Sequence, residues 1–321
     1  MKFPVFDLHC DTALSLLGRS ATEMGSLRKN DLHIDLTRAG ELCGYCQCFA
    51  CFTTPDMEKW YHKSPVQIFE AELATVMQET ERNSDLISLT YTPKEIEKNF
   101  QSGKMSAVLT IEGPAGFSYN PQMLEDLYKV GFRITTLGWN EKNVLCGSNV
   151  TGGGLTQLGR EYVEKAQQVG MLVDVSHISD EAFWDIMEIT KAPIVASHSN
   201  SRAVWDCSRN LTDEMFLAIC KTGGVVGINL FTEFLGDKPN IDTVCDHILH
   251  FLSLDPSGRH IALGGDLDGC DTLPEGFDGI QSYNTLAQAL LNRGISQEMI
   301  MNIFWNNGIE VLKNAVPNHK K

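Results

Sequence analysis

The hydrophobic pattern alternates between two periods along most of the chain. Short runs of apolar and β-branched residues predict strands, and longer stretches with apolar residues every three or four positions predict helices. The predicted strands are residues 4–8, 46–52, 106–111, 134–137, 172–175, 194–196, 225–229 and 261–264. The predicted helices are residues 65–82, 93–101, 121–130, 155–169, 180–190, 212–222, 241–253, 282–292 and 296–314.

Eight strands that alternate with helices are typical of repeated β–α units around a parallel sheet. We find no linker rich in Pro or Ser, so residues 1–321 are predicted to form one domain. The fold class that this pattern favours is α/β, a closed (β/α)8 TIM-like barrel. An open, doubly wound sheet is the structural alternative.

Composition narrows the class of protein. The chain has 321 residues, of which 43% are hydrophobic and 21% charged, as in soluble globular proteins. With 26 basic and 41 acidic residues, the formal net charge is −15, which argues against nucleic acid or an anionic membrane as a partner. The N-terminal MKFPVFDLHCDT lacks the apolar core of an export signal, and no stretch approaches the ~20 apolar residues of a membrane span. We therefore expect a cytoplasmic protein.

Four of the ten cysteines crowd into CGYCQCFAC, at Cys43, Cys46, Cys48 and Cys51. Their spacing suits a zinc or iron–sulfur site. It also suits a buried strand in which cysteine serves as a small hydrophobic residue. We favour the strand, because the residues between the later cysteines are strand formers rather than the Gly or Pro of tight turns.

Polar, chemically active residues follow five of the predicted strands. In a (β/α)8 barrel the carboxyl ends of all strands meet at one mouth, where barrel enzymes hold their active sites. The residues that we expect to converge there are His9, Asp11, Glu112, His177, His198 and Asp266. Burying so many unpaired ionisable groups would cost several kcal/mol each, so the set predicts a metal centre.

The spacing of these residues suggests two ions rather than one. His9 and Asp11 are two positions apart at a strand end, so both face the same side and can bind one ion. His177 and His198 follow adjacent strands and can bind a second ion. Glu112 lies between these pairs in barrel order, so its two oxygens can bridge the ions. Two metals about 3.5–4 Å apart are a known arrangement for hydrolysis, with Asp266 as a further ligand or a proton carrier.

Two other motifs carry less weight. GGDLDGCD places Asp266, Asp268 and Asp271 with the spacing of a calcium loop, but Phe277 stands where the loop needs a Glu. No G-x-S-x-G sequence occurs, so a serine mechanism of the α/β-hydrolase type has no support.

Seven motifs occur along the chain: FDLHCDT, VLTIEGP, ITTLGWN, LVDVSHIS, PIVASHSNSRAV, CSRNLTDEM and IALGGDLDG. With these motifs the chain resembles the membrane dipeptidase (renal dipeptidase) family, the M19 metallopeptidases of the amidohydrolase superfamily. The resemblance covers nearly the whole chain, and residues 174–210 are its most specific part.

This resemblance implies a TIM-like barrel that holds two Zn²⁺ ions per chain and cleaves dipeptides, including those with a C-terminal D-residue. A hydroxide between the ions would attack the peptide carbonyl. It implies that His9 and Asp11 bind the first zinc ion, that His177 and His198 bind the second, and that Glu112 bridges the two. Asp266 would accept and donate the proton, and Arg209 would bind the substrate carboxylate. Trp139 and Asn140 would also contact the substrate. A homodimer is the assembly that the resemblance suggests.

Trp139 departs from the family pattern. Family dipeptidases carry at this place a His that contacts the scissile carbonyl, and a Trp cannot offer the same hydrogen bond or charge. Another group contacts the carbonyl in this chain, or the substrate differs. A third interpretation is that Trp139 forms an aromatic wall of the pocket. One alternative is therefore a related amidohydrolase that acts on N-acyl-amino acids or lactones. A non-enzymatic metal-binding scaffold is a second alternative, which the intact set of ligands disfavours.

Overall fold

Eight parallel strands close into a barrel in the computed structural model, which describes residues 2–19 and 25–315. The strands are β1 (Val5–Cys10), β2 (Tyr45–Phe52), β3 (Met105–Glu112), β4 (Phe132–Thr136), β5 (Leu172–Asp174), β6 (Ile194–Ala196), β7 (Val225–Ile228) and β8 (Ile261–Leu263). Each pairs in parallel with the next along the chain, and β1 also pairs with β8, with Asp7 opposite Leu263. The predicted (β/α)8 barrel is confirmed, and the open sheet is wrong.

Helices connect the strands around the outside. They are α1 (Pro65–Arg82), α2 (Pro93–Gln101), α3 (Met123–Val130), α4 (Gln157–Val169), α5 (Asp180–Ile189), α6 (Asp213–Thr222), α7 (Ile241–Leu254), α8 (Tyr283–Asn292), α9 (Gln297–Met301) and α10 (Asn307–Ala315). Short helical turns occupy Thr12–Ser15, Leu36–Ala39, Met57–Tyr61, Pro114–Phe117, Thr232–Leu235 and Ile280–Ser282. Among the described residues, no helix combines the length and apolar character needed to cross a membrane.

Local signals explain where several helices begin. Ser64 and Thr92 each accept a hydrogen bond from the backbone three residues on, and each is followed by Pro at the first helical position. This capping box satisfies amide groups that would otherwise lack a partner. The predicted bounds of α1 and α2 therefore match the structure.

One hydrophobic cluster takes side chains from all eight strands, which can meet only inside the barrel. Cys46 and Cys48 belong to it, and Trp305 and Ile309 close it from the last helices. Cys51 packs in a different core cluster, and Cys43 is exposed. The four thiols do not converge, so the prediction of a buried strand is confirmed.

The hydrophobic pattern did not predict some short elements of the structure. A three-residue strand, Ile87–Leu89, pairs with β3, and a hairpin joins Gly25–Ser26 to Lys29–Asn30. Strands this short contain too few positions for an alternation to be visible. The predicted last helix is interrupted by a π-helical turn at Asn302–Asn306. Beyond that turn, the side-chain Nδ2 of Asn307 donates to the backbone carbonyls of Gly258 and Ile261 at 2.7 Å each. These bonds connect α10 to the start of β8.

Candidate active site

A cavity of about 290 Å³ lies at the carboxyl ends of the strands. Its walls combine carboxylates with aromatic rings: Asp11, Glu112, Asp266 and Asp268, and Phe52, Tyr61, Trp139, Phe231 and Phe234. Four carboxylates on one small cavity repel each other unless cations offset their charge. The position of the cavity is the one that barrel enzymes use for chemistry.

Glu112, the last residue of β3, faces two separate groups of donors. Its Oε2 lies 3.2 Å from His9 Nε2. Its Oε1 lies 3.0 Å from His177 Nε2 and 3.8 Å from His198 Nε2. The two oxygens of one carboxylate therefore point to two different places, as a bridging ligand requires.

Asp11 and Asp266 also lie close to His9 Nε2. His9 Nε2 lies 3.6 Å from Asp11 Oδ2 and 3.8 Å from Asp266 Oδ1. Gly269 packs its backbone against both carboxylates, so a Cβ at this position would overlap them. The structure thus brings together all six residues that the sequence predicted at the barrel mouth.

The tautomer of His198 is set by residues beneath it. Ser197 Oγ donates to Asp174 Oδ2, so it accepts from His198 Nδ1 at 2.7 Å. The Nδ1 of His198 therefore carries the proton, and its Nε2 presents a lone pair. Such outer contacts fix the ring orientation of metal-binding histidines in proteins.

His177 is held in the same way by Asn140, whose Oδ1 lies 3.0 Å from His177 Nδ1. The two Nε2 atoms of His177 and His198 then face each other at 2.9 Å, lone pair to lone pair. Burial lowers the pKa of both imidazoles well below its usual value, so both are neutral. Two facing lone pairs repel unless a cation lies between them.

Other buried atoms of the site also lack partners. Among the described residues, buried Asp11 Oδ1 has no hydrogen-bond partner, and buried His9 Nε2 makes no hydrogen bond of good geometry although Glu112 Oε2 lies 3.2 Å away. A bare negative charge is disfavoured in a buried position, so burial raises the pKa of both Glu112 and Asp266 to about 7. Imidazole nitrogens and carboxylate oxygens with unmet bonding capacity fit divalent metal ions of the zinc class.

A left-handed backbone conformation and a hydrogen bond from the Asn229 side-chain amide position Asp266. Its φ is +56°, in the left-handed region, and His177 has φ +70°. Non-glycine residues in that region cost free energy and concentrate at active sites. Asn229 Nδ2 donates to Asp266 Oδ2 at 3.1 Å, which leaves Oδ1 directed toward His9.

Arg209 and Trp139 occupy different parts of the site. Arg209 is buried in a narrow pocket beside His177, where it donates to Ser199 Oγ at 3.1 Å and to the His198 carbonyl at 3.2 Å. Within the described part of the chain, the Nε of Arg209 has no hydrogen-bond partner. Trp139 forms part of the main cavity wall, with its ring centroid 6.2 Å from that of His177.

Sequence reasoning missed the residues that support the site. Asp7 accepts from the backbone N–H of His9 at 3.0 Å and of Gly265 at 3.1 Å, which ties the end of β1 to the end of β8. Asp268, dismissed as part of a calcium-like loop, accepts from Thr12 Oγ1 at 2.5 Å. The available signal was a carboxylate inside an apolar strand, at Asp7 and at Asp174.

The geometry agrees with a comparison to known proteins. The family model described as membrane dipeptidase (peptidase family M19) matches residues 1–321. The chain belongs to the membrane dipeptidase family M19. The resemblance noted from the sequence is thereby confirmed.

The degree of similarity is given by comparison with individual members of the family. It is 34% identical over 233 residues to an uncharacterised dipeptidase of Schizosaccharomyces pombe, covering 70% of this chain and 57% of that protein. The chain thus spans less than two thirds of that relative's length. A crystal structure of the M19 metallopeptidase dipeptidase AC is 25% identical and has a TM-score of 0.89, covering 98% of this chain and 99% of that one.

A metallopeptidase of Rhodobacter sphaeroides has the same fold. The two structures agree with a TM-score of 0.89 at 24% identity, over 98% of this chain and 100% of that one.

Proposed function

We propose that this chain is a dipeptidase that uses two zinc ions to hydrolyse the peptide bond of dipeptides. The observation that carries the proposal is Glu112, whose two oxygens face separate nitrogen donors at 3.2 Å and 3.0 Å. Membership of the M19 family supports it. The cavity, about 290 Å³, is at the small end of ligand pockets and suits a substrate of two residues.

We assign the metal ligands as the sequence predicted them. His9 and Asp11 would hold one ion, His177 and His198 the other, and Glu112 both. Bound metal ions would lower the pKa of a coordinated water and polarise the scissile carbonyl. Asn140, predicted to contact substrate, orients His177 in our assignment, because its Oδ1 is engaged by the His177 ring.

Asp266 is assigned to move the proton. Asp266 lines the cavity, with its Oδ1 3.8 Å from His9 Nε2 and its Oδ2 held by Asn229. A carboxylate fixed in this way can take a proton from the attacking water and deliver it to the leaving amine nitrogen.

Arg209 is assigned to the free carboxylate of the substrate. A guanidinium has five N–H donors, and the protein engages one at each Nη, so donors remain on Nη and Nε. A charge-assisted pair with the substrate carboxylate would restrict cleavage to short substrates. The neighbouring Phe234, whose ring centroid lies 5.4 Å from the guanidinium carbon, lines the main cavity.

We assign Trp139 to the apolar part of the wall of the main cavity. Its ring packs edge-on against Phe52 at 5.3 Å and Trp60 at 5.8 Å between centroids. An indole held by two rings forms a surface for a substrate side chain rather than a donor to the carbonyl oxygen.

The test is hydrolysis of a dipeptide panel with L- and D-residues at the C-terminal position, by zinc-loaded protein and by a chelated control. The Rhodobacter sphaeroides neighbour was crystallised with a phosphinate mimic of L-Ala-D-Ala, so that dipeptide belongs in the panel. We expect release of free amino acids that the chelator abolishes. N-acyl-amino acids and lactones are assayed in parallel, and cleavage of these alone by protein with two metals would reject the dipeptidase assignment.

Two variants from one loop test the role of Asp266. Asp266→Asn should keep its metal and lose turnover, whereas Asp271→Asn should keep both, because Asp271 is exposed. Full activity of Asp266→Asn would remove this residue from the proton transfer. A cytoplasmic location and a homodimer stay predictions.

A further inference from the structure

A second cluster of metal-binding side chains lies away from the barrel mouth. Cys220 is in the last turn of α6, Asp255 directly follows α7, and His260 directly precedes β8. Their sulfur, carboxylate oxygen and ring nitrogen all lie within 4.8 Å of one another. Because His260 comes before β8 and Asp266 comes after it, this cluster is at the opposite end of the barrel from the cavity.

His260 is oriented before any ligand arrives. Its Nδ1 lies 2.7 Å from the Gly224 carbonyl, so Nδ1 carries the proton and Nε2 presents a lone pair. The His260 carbonyl accepts from Val226 N at 2.9 Å, which anchors the residue to β7. A histidine with one nitrogen held by a carbonyl is the usual form of a metal ligand.

Asp255 has one oxygen in use and one free. Its Oδ1 accepts from Ser257 N at 3.1 Å and from Ser257 Oγ at 2.7 Å. Its Oδ2 is a buried atom that has no hydrogen-bond partner among residues 2–19 and 25–315. A buried carboxylate oxygen without a partner is costly, and a cation would satisfy it.

The local field also favours a cation. Cys220 is in the last turn of α6 and Asp255 follows the last residue of α7, so the negative ends of two helix dipoles meet here. Donors bound tetrahedrally to one zinc ion at ~2.0–2.3 Å lie ~3.3–3.8 Å apart, so side-chain rotations that draw these three donors together would bring them within bonding distance of one ion.

The same three residue types also form nucleophilic triads, but this cluster does not suit that role. Burial, and then the charge of Asp255, raise the pKa of the Cys220 thiol to about 12. A catalytic cysteine needs a lowered pKa. A metal ion, in contrast, deprotonates a thiol that coordinates it.

We propose that Cys220, Asp255 and His260 bind one divalent metal ion of the zinc class, with water at the fourth position. The ion links α6, α7 and β8 at the end of the barrel where TIM barrels keep stability rather than catalysis. It is therefore a stabilising site, distinct from the candidate active site.

Cobalt provides a specific probe, because the six active-site candidates contain no sulfur. Full-length protein titrated with Co²⁺ should develop a thiolate-to-cobalt charge-transfer band in the near ultraviolet. The band should saturate when one ion per chain is bound in addition to the two of the candidate active site. Cys220→Ser should abolish the band. Cys207→Ser should retain it, because Cys207 is also partly buried but lies outside the cluster. No band at saturating Co²⁺, or a band that Cys220→Ser retains, would overturn the proposal.

Thermal unfolding gives a second readout. Excess Zn²⁺ should raise the Tm of the wild type by more than that of Cys220→Ser, with dipeptide hydrolysis equal in both. His260→Gln serves if Cys220→Ser does not fold, and it should show the same loss of band and of Tm increment. Equal Tm increments in wild type and folded variant would contradict a stabilising site.

Discussion

Ser197→Ala should weaken metal binding without touching a metal ligand. In the structure Ser197 Oγ accepts from His198 Nδ1 at 2.7 Å and donates to Asp174. Alanine removes both contacts. The His198 ring is then free to change tautomer, and one buried oxygen of Asp174 loses its donor.

The size of the effect follows from these contacts. Loss of an outer-shell partner typically lowers metal affinity 10–100-fold, which is about 1.4–2.8 kcal/mol. A buried acceptor without a partner costs ~1–3 kcal/mol of folding free energy. Both remaining backbone donors, Ser176 N and Ser197 N at 2.9 Å each, bind Oδ1 of Asp174. Because Oδ2 loses its donor, we expect Ser197→Ala to cost ~1–3 kcal/mol of folding free energy.

The assay compares metal content and kcat/KM over a series of buffered free zinc concentrations, with urea unfolding as a measure of stability. Ser197→Ala should need more free zinc for activity and recover at high zinc. Ser176→Ala is the matched control, since the contacts of the Ser176 hydroxyl to the His198 N–H and Ser197 Oγ are long, at 3.3 and 3.4 Å. Wild-type zinc affinity in Ser197→Ala would refute the assigned tautomer.

Three further changes test other parts of the site. Gly269→Ala should lower metal content and kcat by at least about tenfold, because the new Cβ overlaps the carboxylate of Asp11; metal analysis with wild-type stoichiometry would contradict this. Tyr283→Phe should lower the free energy of unfolding by ~1–3 kcal/mol, since the Tyr283 hydroxyl donates to buried Asp7, and an unchanged urea midpoint would speak against it. Arg209→Lys should raise the KM for dipeptides although the charge is kept, since Lys lacks the planar fork; an unchanged KM would remove Arg209 from substrate binding.

Much of the barrel could be predicted because its signals are local. Each β–α unit carries its own apolar run, its own helical period and often its own cap, as at Ser64 and Thr92. Parallel pairing of consecutive strands then places all carboxyl ends on one side. For this reason His9, Glu112 and His198 could be assigned to one mouth without any knowledge of distances.

The hydrogen-bond partners that orient those residues could not be predicted, because they are distant in the sequence. Asn229 and Asp266 are 37 positions apart, and Asp7 and Gly265 are 258 apart, so no local pattern links them. The cluster that contains Cys220 likewise joins two helix ends and a strand start that meet only in the folded barrel.

Hydrophobic periodicity and strand-end chemistry are properties of neighbouring residues, so the barrel and the candidate ligands could be predicted before any distance was known. Which nitrogen of His198 carries a proton depends on Ser197 and Asp174 together. That depends on the register between β5 and β6, where Asp174 stands opposite Val195. Hydrogen bonds need atoms within about 3 Å, and only the tertiary structure brings side chains from separate strands that close.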